Sequence, residues 1–147
     1  MIAIQVVTER RDPISAGIRF VTRSWASHTE FVQTENGHTF GSRWRDGVRW
    51  RPASESRHYT YVEVFTHPYA QQALEWAITQ EGKPYDLTAI FGILTDRNWR
   101  AEDSWFCSEL IAAAFEHTTG PLFAMDTRLN RVFPGHIPMS LALTRFS

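Results

Sequence analysis

The sequence predicts an α+β fold in which helices pack on one side of an antiparallel sheet. Strand-like segments fill the first half of the 147-residue chain and helical patterns follow them, an order typical of this class. The turn sequences Asn36-Gly37 and Asp46-Gly47 favour tight hairpins, and hairpins join antiparallel neighbours. The length and a hydrophobic content of 43% predict one globular domain over residues 1–147.

Five segments carry the strand pattern, in which apolar, β-branched or aromatic residues lie between turn residues. Tyrosine and valine, which favour strands, are concentrated in the fourth of these segments. The predicted strands cover residues 2–7, 28–33, 38–44, 57–65 and, as an edge strand after an irregular stretch at 132–137, residues 141–146.

Three segments have apolar residues at helical spacing, with capping residues before them and helix-ending residues after them. Asp12 and Pro13 form an N-cap followed by a first helical residue that suits proline. The predicted helices run from Asp12-Pro13 to before Ser24, from Pro68 to a stop at Gly82 and Pro84, and from a cap at Asp103 or Ser104 to about His117.

Composition excludes several function classes. The 15 basic residues are balanced by 16 acidic ones, which removes the electrostatic argument for a dedicated nucleic-acid binder. The single cysteine excludes an internal disulfide framework and any zinc site with two thiolates. It also excludes the Pro-Cys-x-x-Cys signature of zinc deaminases. We therefore expect no metal and no other cofactor.

No transmembrane segment is predicted, because the longest apolar runs are far shorter than the ~20 residues that cross a bilayer. The N-terminus has no basic region before its apolar stretch and no small-residue cleavage site, so it does not resemble a signal peptide. A cytoplasmic location is the default expectation, with release of a phage-encoded protein as the alternative. No pattern indicates an oligomeric state.

Cys107 is the first candidate for chemistry. It lies in the sequence Trp-Phe-Cys-Ser-Glu-Leu, within the first turn of the third predicted helix. The unpaired N–H groups and positive end of a helix favour a thiolate there and lower its pKa. Cys107 also shares a helical face with Leu110, Ile111 and Phe115, so a small buried core residue is the alternative interpretation.

His28 and Glu30 are the second candidate. Side chains two apart on a strand share a face, so both should project together from the second predicted strand. A carboxylate beside an imidazole can fix its tautomer and stabilise the imidazolium, as the third member of a nucleophile–base–orienter set must. The alternative is an exposed strand face that carries a histidine and a glutamate by coincidence.

The predicted hairpin around Asp46-Gly47 is unusually rich in arginine and tryptophan. Residues 43–51 contain four arginines and two tryptophans. Such a surface can stack on bases or meet phosphates and lipid headgroups. We favour a solvated hairpin with cross-strand packing of arginine on tryptophan.

In chain order, these pieces resemble a known family. The segments that carry the likeness are Ser27–Glu30, Gly82–Asp86, Phe106–Leu110 and the closing stretch from Phe133-Pro134 to Met139-Ser140-Leu141. They look like the circularly permuted branch of the NlpC-type, papain-like cysteine hydrolases, the YiiX/YebB-like group related to lecithin–retinol acyltransferase. The likeness spans roughly residues 14 to 143. It implies a papain-like fold of permuted topology, because the histidine here precedes the cysteine.

The resemblance implies a role for individual residues. Cys107 would be the nucleophile and His28 the general base. Tyr85, Phe106 and Ser108 would line the substrate site, and backbone N–H groups at the start of the cysteine helix would hold the oxyanion.

The third catalytic residue departs from the family pattern. Many relatives carry it on the strand after the histidine strand, where this chain reads Thr-Phe-Gly-Ser over residues 39–42. Glu30 is therefore expected to orient the histidine, with Ser42 and His38 as weaker candidates.

The resemblance implies a cysteine-dependent hydrolase or acyltransferase that forms an acyl-enzyme on an amide or ester bond. A small peptide, such as a cell-wall peptide, or a lipid-like molecule would be the substrate. The alternative is a catalytically inactive papain-like module that binds a peptide or lipid in the same groove.

Overall fold

The computed structural model describes residues 1–88, 103–123, 132–140 and 142–146. Within these residues six strands form one sheet in the order β4-β3-β2-β1-β5-β6, and every neighbouring pair is antiparallel. The α+β class with an antiparallel sheet is therefore confirmed. The strands are β1 (Ile2–Glu9), β2 (His28–Gln33), β3 (Thr39–Arg43), β4 (Gly47–Arg51), β5 (Tyr59–Thr66) and β6 (Thr144–Arg145).

The sixth strand lies at the edge of the sheet, as predicted, but it is shorter than the sequence pattern suggested. It pairs with β5 through two residues. Leu141, with which the predicted strand begins, lies outside the described residues. The stretch predicted as irregular contains a 3-10 helix over Pro134–Met139.

Three described α-helices connect or follow the strands: α1 (Pro13–Thr22), α2 (Ala70–Ile78) and α3 (Cys107–Thr118). The start of α1 is the one that the sequence predicts. The Asp12 carboxylate accepts hydrogen bonds from the backbone N–H and the hydroxyl of Ser15, both at 2.7 Å. The helix thus begins with a satisfied N-cap.

The start of α3 differs from the prediction. Its N-cap is Phe106, not Asp103 or Ser104, so the helix begins at Cys107 itself. The preceding residues are held in another arrangement, because the N–H of Trp105 donates to the Pro84 carbonyl at 3.0 Å. This bridge keeps the chain extended up to Phe106. Cys107 consequently occupies the first position of the helix.

The main core lies between α2, α3 and one face of the sheet. Ile4, Phe31 and Phe40 come from adjacent strands, and Leu74 and Phe115 come from the two helices. Residues next to them along each strand project to the opposite face. Gln5 and Glu30, which are directly paired between β1 and β2, therefore lie away from α2 and α3.

The segment that contains Tyr85 is attached to β4. The N–H of Val48 donates to the Lys83 carbonyl at 2.9 Å, and the N–H of Gly82 donates to the Val48 carbonyl at 2.8 Å. Gly47 permits this approach, since a Cβ there would lie 2.3 Å from the Lys83 carbonyl oxygen. Its φ of +69° is also a conformation that favours glycine.

We expect Gly47→Ala to destabilise the protein by about 2–4 kcal/mol, because it adds a backbone clash to left-handed strain. Gly82→Ala is the matched control: its φ is +87°, but a Cβ there meets nothing within 4 Å. Urea unfolding of both variants measures the two losses of stability. The loss in Gly82→Ala reports the backbone strain, and the additional loss in Gly47→Ala reports the clash with Lys83. Equal losses in the two variants would contradict the close approach of Gly47 to Lys83.

Candidate active site

A cavity of about 380 Å³ lies where the start of β2, the β3–β4 turn and α1 meet. We call it the site cavity. Its lining includes Ile14 and Ile18 of α1, His28 of β2, Tyr59 of β5, and Tyr85. Three segments that the sequence singled out, the His28 strand, the Arg/Trp hairpin and the Tyr85 segment, are thus brought to one concave surface.

The imidazole of His28 is paired with Glu30. His28 Nε2 and Glu30 Oε2 are 3.0 Å apart, and the His28 side chain is 10% exposed. An ionised carboxylate only accepts hydrogen bonds, so Nε2 carries the proton in this pair. In the neutral ring Nδ1 is then unprotonated and can accept a proton, and it has no hydrogen-bond partner among the described residues.

Glu30 is ionised in the folded protein. Its burial alone would raise its pKa, but His28 and the Arg43 guanidinium outweigh that effect and hold the pKa well below the usual range. The Nη2 of Arg43 donates to Glu30 Oε1 at 2.9 Å. Gln5 Nε2 and the Tyr59 hydroxyl donate to the same oxygen, each at 2.9 Å. Three side chains therefore fix the carboxylate that holds His28.

Gly41 makes room for this carboxylate. A Cβ at Gly41 would lie 2.7 Å from the Glu30 Cβ and 3.7 Å from its Oε2. The strand after the histidine strand thus lacks a side chain at the point where Glu30 lies. The carboxylate on β2 takes up space that a side chain on β3 would otherwise fill.

Cys107 lies behind one wall of the site cavity. It is 1% exposed and packs in a small cluster with Ile18 and Phe106, against which Ile14 and Tyr85 also pack. Burial raises the pKa of the thiol to about 12, although the backbone N–H groups of Thr29, Ser108 and Cys107 itself act to lower it. At neutral pH the thiol is therefore protonated.

Cys107 and His28 approach each other through the backbone of β2. The N–H of Thr29, the residue after His28, points to the Cys107 sulfur. No hydrogen bond joins the imidazole and the thiol among the residues that the structure describes. The two predicted catalytic side chains are therefore not hydrogen-bonded to each other in this arrangement.

Tyr85, Phe106 and Ser108 all lie close to Cys107. The rings of Tyr85 and Phe106 are 5.7 Å apart. Burial raises the pKa of Tyr85 well above its usual value, and Cys107 adds to this effect. The Ser108 hydroxyl donates to the Val132 carbonyl, so Ser108 offers the site its backbone N–H and not its side chain.

The two weaker candidates for the third residue lie elsewhere. The buried Ser42 hydroxyl donates to the Trp105 carbonyl at 2.7 Å and ties β3 to the segment before α3. His38 is exposed in the turn between β2 and β3, at the opposite end of β2 from His28. The structure does not bring His38 to the site cavity.

The interpretation of residues 43–51 as a solvated hairpin is wrong for two of its arginines. Arg51 is 1% exposed and donates to the Asp46 carboxylate and to the Gly41 and Gly47 carbonyls. Arg43, which binds Glu30, has a side chain only 16% exposed. The buried Glu30 carboxylate explains the inward position of Arg43. Arg51 is held by backbone carbonyls and by the more exposed Asp46.

Sequence reasoning therefore missed Arg43, Tyr59 and Gln5 as the partners of Glu30. Arg43 lies opposite His28 when the observed pairing of Phe31 with Phe40 is extended, but this register comes from the structure. Gln5 lies on β1, which pairs with β2, and Tyr59 lies on β5, which pairs with β1. Both pairings join segments that are distant in sequence. No local pattern identifies them.

No group of three or more histidine, cysteine, aspartate or glutamate side chains is placed to hold a metal ion within the described parts of the chain. No described helix is long and apolar enough to cross a membrane.

Comparison with known proteins supports the fold. No family model matches the chain, and no curated protein matches it. Among solved structures, the chain is similar to the crystal structure of the metalloprotein YiiX from Escherichia coli O157:H7, a protein of the DUF1105 group. The TM-score is 0.70 with 17% sequence identity, over 99% of this chain and 95% of that chain. The fold is therefore YiiX-like.

Proposed function

We propose that this protein is a cysteine-dependent hydrolase or acyltransferase of the papain-like type, with a circularly permuted topology. Cys107 would be its nucleophile, His28 its general base and Glu30 the residue that orients the base. A small peptide or a lipid-like molecule with an amide or ester bond would be the substrate. The observation that carries the proposal is the His28–Glu30 pair, in which Nδ1 of the neutral ring can accept a proton. His28 lines the site cavity, and the next residue along β2 points its N–H to the sulfur.

The proposed reaction begins with transfer of the Cys107 thiol proton to His28 Nδ1. The thiolate attacks the substrate carbonyl carbon, and backbone N–H groups at the start of α3 donate to the resulting oxyanion. The carbon–nitrogen or carbon–oxygen bond then breaks, and His28 returns its proton to the leaving amine or alcohol. Water or an acceptor alcohol or amine gives a proton to His28 and attacks the thioester. The carbon–sulfur bond then breaks, the acyl product is released, and His28 returns its proton to the Cys107 thiolate.

The proposed mechanism uses no metal. YiiX is described as a metalloprotein. In this chain the described residues form no cluster of three metal-ligating side chains, and the nitrogen of His28 that faces Glu30 is occupied by that contact. These residues do not fit a metal centre of the common three-ligand kind.

A second candidate function is a ligand-binding module without catalysis. The burial of Cys107 and its thiol pKa of about 12 favour it, because Ile14, Ile18 and Tyr85 separate the sulfur from the site cavity. For the hydrolase, a substrate must displace part of this apolar layer. For the module, the layer would stay closed.

Acylation of the single cysteine distinguishes the two functions. We expect 4-nitrophenyl acetate to acetylate Cys107 faster than it acetylates free cysteine at pH 7, since His28 removes the thiol proton during attack. Intact-mass spectrometry over time measures the adduct. Because the chain contains one cysteine, the thioester can form at one position only.

Three variants complete this experiment. Cys107→Ala should form no thioester, and His28→Ala should lose at least about 100-fold in acetylation rate, the usual contribution of a general base. His117→Gln, an exposed histidine on α3, is the matched control and should react like the wild type. A wild-type thiol that reacts no faster than free cysteine would contradict the proposed hydrolase and favour the ligand-binding module.

A further inference from the structure

Two arginines at the site cavity have no carboxylate partner within the part of the chain that the structure describes. Arg11 lies in the turn between β1 and α1, and Arg45 lies in the turn between β3 and β4. Both line the site cavity and both are exposed. No side-chain hydrogen bond or ion pair joins either guanidinium to another described residue. The Arg45 guanidinium lies over the Trp44 ring, 5.0 Å from its centroid.

The carboxylates that line the site cavity form ion pairs or hydrogen bonds with other residues. Glu9 pairs with His58 and also accepts the backbone N–H of Arg11 at 2.9 Å. Asp12 caps α1. Asp46 pairs with two arginines, and its pKa is lowered by them despite burial.

Glu55 is the fourth carboxylate of the lining. Its Oε2 lies 3.9 Å from Arg43 Nη1 and 3.4 Å from Arg49 Nη2. None of the four carboxylates forms an ion pair with Arg11 or Arg45. Two guanidinium groups without an ion pair to a described residue therefore line the site cavity.

We propose that Arg11 and Arg45 bind an anionic group of the ligand, a carboxylate or a phosphate, and so select acidic ligands for the site cavity. A guanidinium presents a planar fork of N–H donors that matches both groups. The two arginines come from turns 34 positions apart in sequence, and only folding brings them to one cavity. The inference rests on the proposed role of the site cavity as the ligand site, whether or not Cys107 is catalytic.

Two matched pairs of small molecules test the proposal by calorimetric titration of the full chain at low salt. N-acetylglutamate α-amide and N-acetylglutamine α-amide differ only in a carboxylate, and glycerol 3-phosphate differs from glycerol in its phosphate. We expect the charged member of at least one pair to bind about tenfold or more tightly, as one charge-assisted hydrogen bond allows. The pair that shows the preference identifies the anion as carboxylate or phosphate.

The double substitution Arg11→Gln and Arg45→Gln should abolish this preference. Arg10→Gln is the matched control: Arg10 is exposed and adjacent to Arg11, but it does not line the site cavity, so the preference should survive. Equal binding of both members of each pair, no binding of any probe, or a preference that persists in the double variant would overturn the proposal. These titrations are independent of thioester formation, so failure here and failure of the proposed chemistry are separate results.

Discussion

Replacing Glu30 by alanine is expected to lower the free energy of unfolding by about 3–5 kcal/mol, the cost of breaking a buried ion pair by removing one partner. The Arg43 guanidinium would lose a carboxylate that it contacts through both Nε and Nη2. Gln5, His28 and Tyr59 would lose an acceptor as well. Urea unfolding at pH 7 measures the loss.

The conservative variant Glu30→Gln separates charge from size. It keeps one carbonyl acceptor, so we expect a smaller loss than for alanine. Glu75→Ala is the matched control, because Glu75 is exposed on α2 and hydrogen-bonds only to Gln71 among the described residues. Its effect should stay within about 0.5 kcal/mol. A Glu30→Ala variant that unfolds like the control would show that the network contributes nothing to stability.

Because the pKa of Glu30 is lowered on folding, we also expect the free energy of unfolding to decrease in acid. The pKa of Glu30 is depressed on folding, so the unfolded chain takes up a proton first as the pH falls. The stabilisation from Glu30 is present above its ordinary pKa of 4.5 and declines below it. Glu30→Gln should remove this part of the acid dependence.

The second large expected effect is a loss of stability in alkali that depends on Cys107. The thiol pKa rises from 9.0 in water to about 12 in the folded protein, mainly through burial. Above pH 9 the unfolded chain releases the thiol proton while the folded chain keeps it. The stabilisation is therefore complete below pH 9 and is lost as the pH rises toward 12. The expected loss over this range is about 4 kcal/mol.

Cys107→Ala isolates this contribution. Tyr59 and Tyr85 also have raised pKa values, and both remain in the variant. Because Cys107 adds to the raised pKa of Tyr85, the difference between the two proteins reports the thiol together with this interaction. We expect the wild type to lose more stability than the variant between pH 8.5 and 10.5 in unfolding titrations. Parallel stability curves over that range would mean that the thiol is not buried in the folded protein in solution.

Local sequence signals located most of the secondary structure. The strand at 28–33 is observed with its predicted bounds, and the capped start of α1 at Asp12-Pro13 is observed as well. Both depend on interactions within a few residues. The start of α3 was placed too early, since the bridge between Trp105 and Pro84 competes with helix formation. Such a contact joins distant parts of the chain and has no local signature.

In the candidate site, too, some features follow from local sequence and others depend on distant contacts. Strand periodicity alone places His28 and Glu30 on one face, and the position of Cys107 near a helix start follows from the local pattern. The ionised state of Glu30 does not, because it depends on Arg43 thirteen positions away and on Tyr59 from another strand. The inward turn of Arg43 likewise reflects the buried Glu30 carboxylate, and that of Arg51 reflects the Gly41 and Gly47 carbonyls. Neither contact has a local signal in the sequence.

The amino-acid sequence by itself determined the α+β class, the antiparallel hairpins and the short list of residues able to carry chemistry, since these follow from periodicity, turn residues and side-chain type. Tertiary structure alone decided that Cys107 is buried behind an apolar layer, that His28 faces Glu30, and that Arg11 and Arg45 meet at one cavity. Burial, and the pKa values that follow from it, depend on which distant segments pack together.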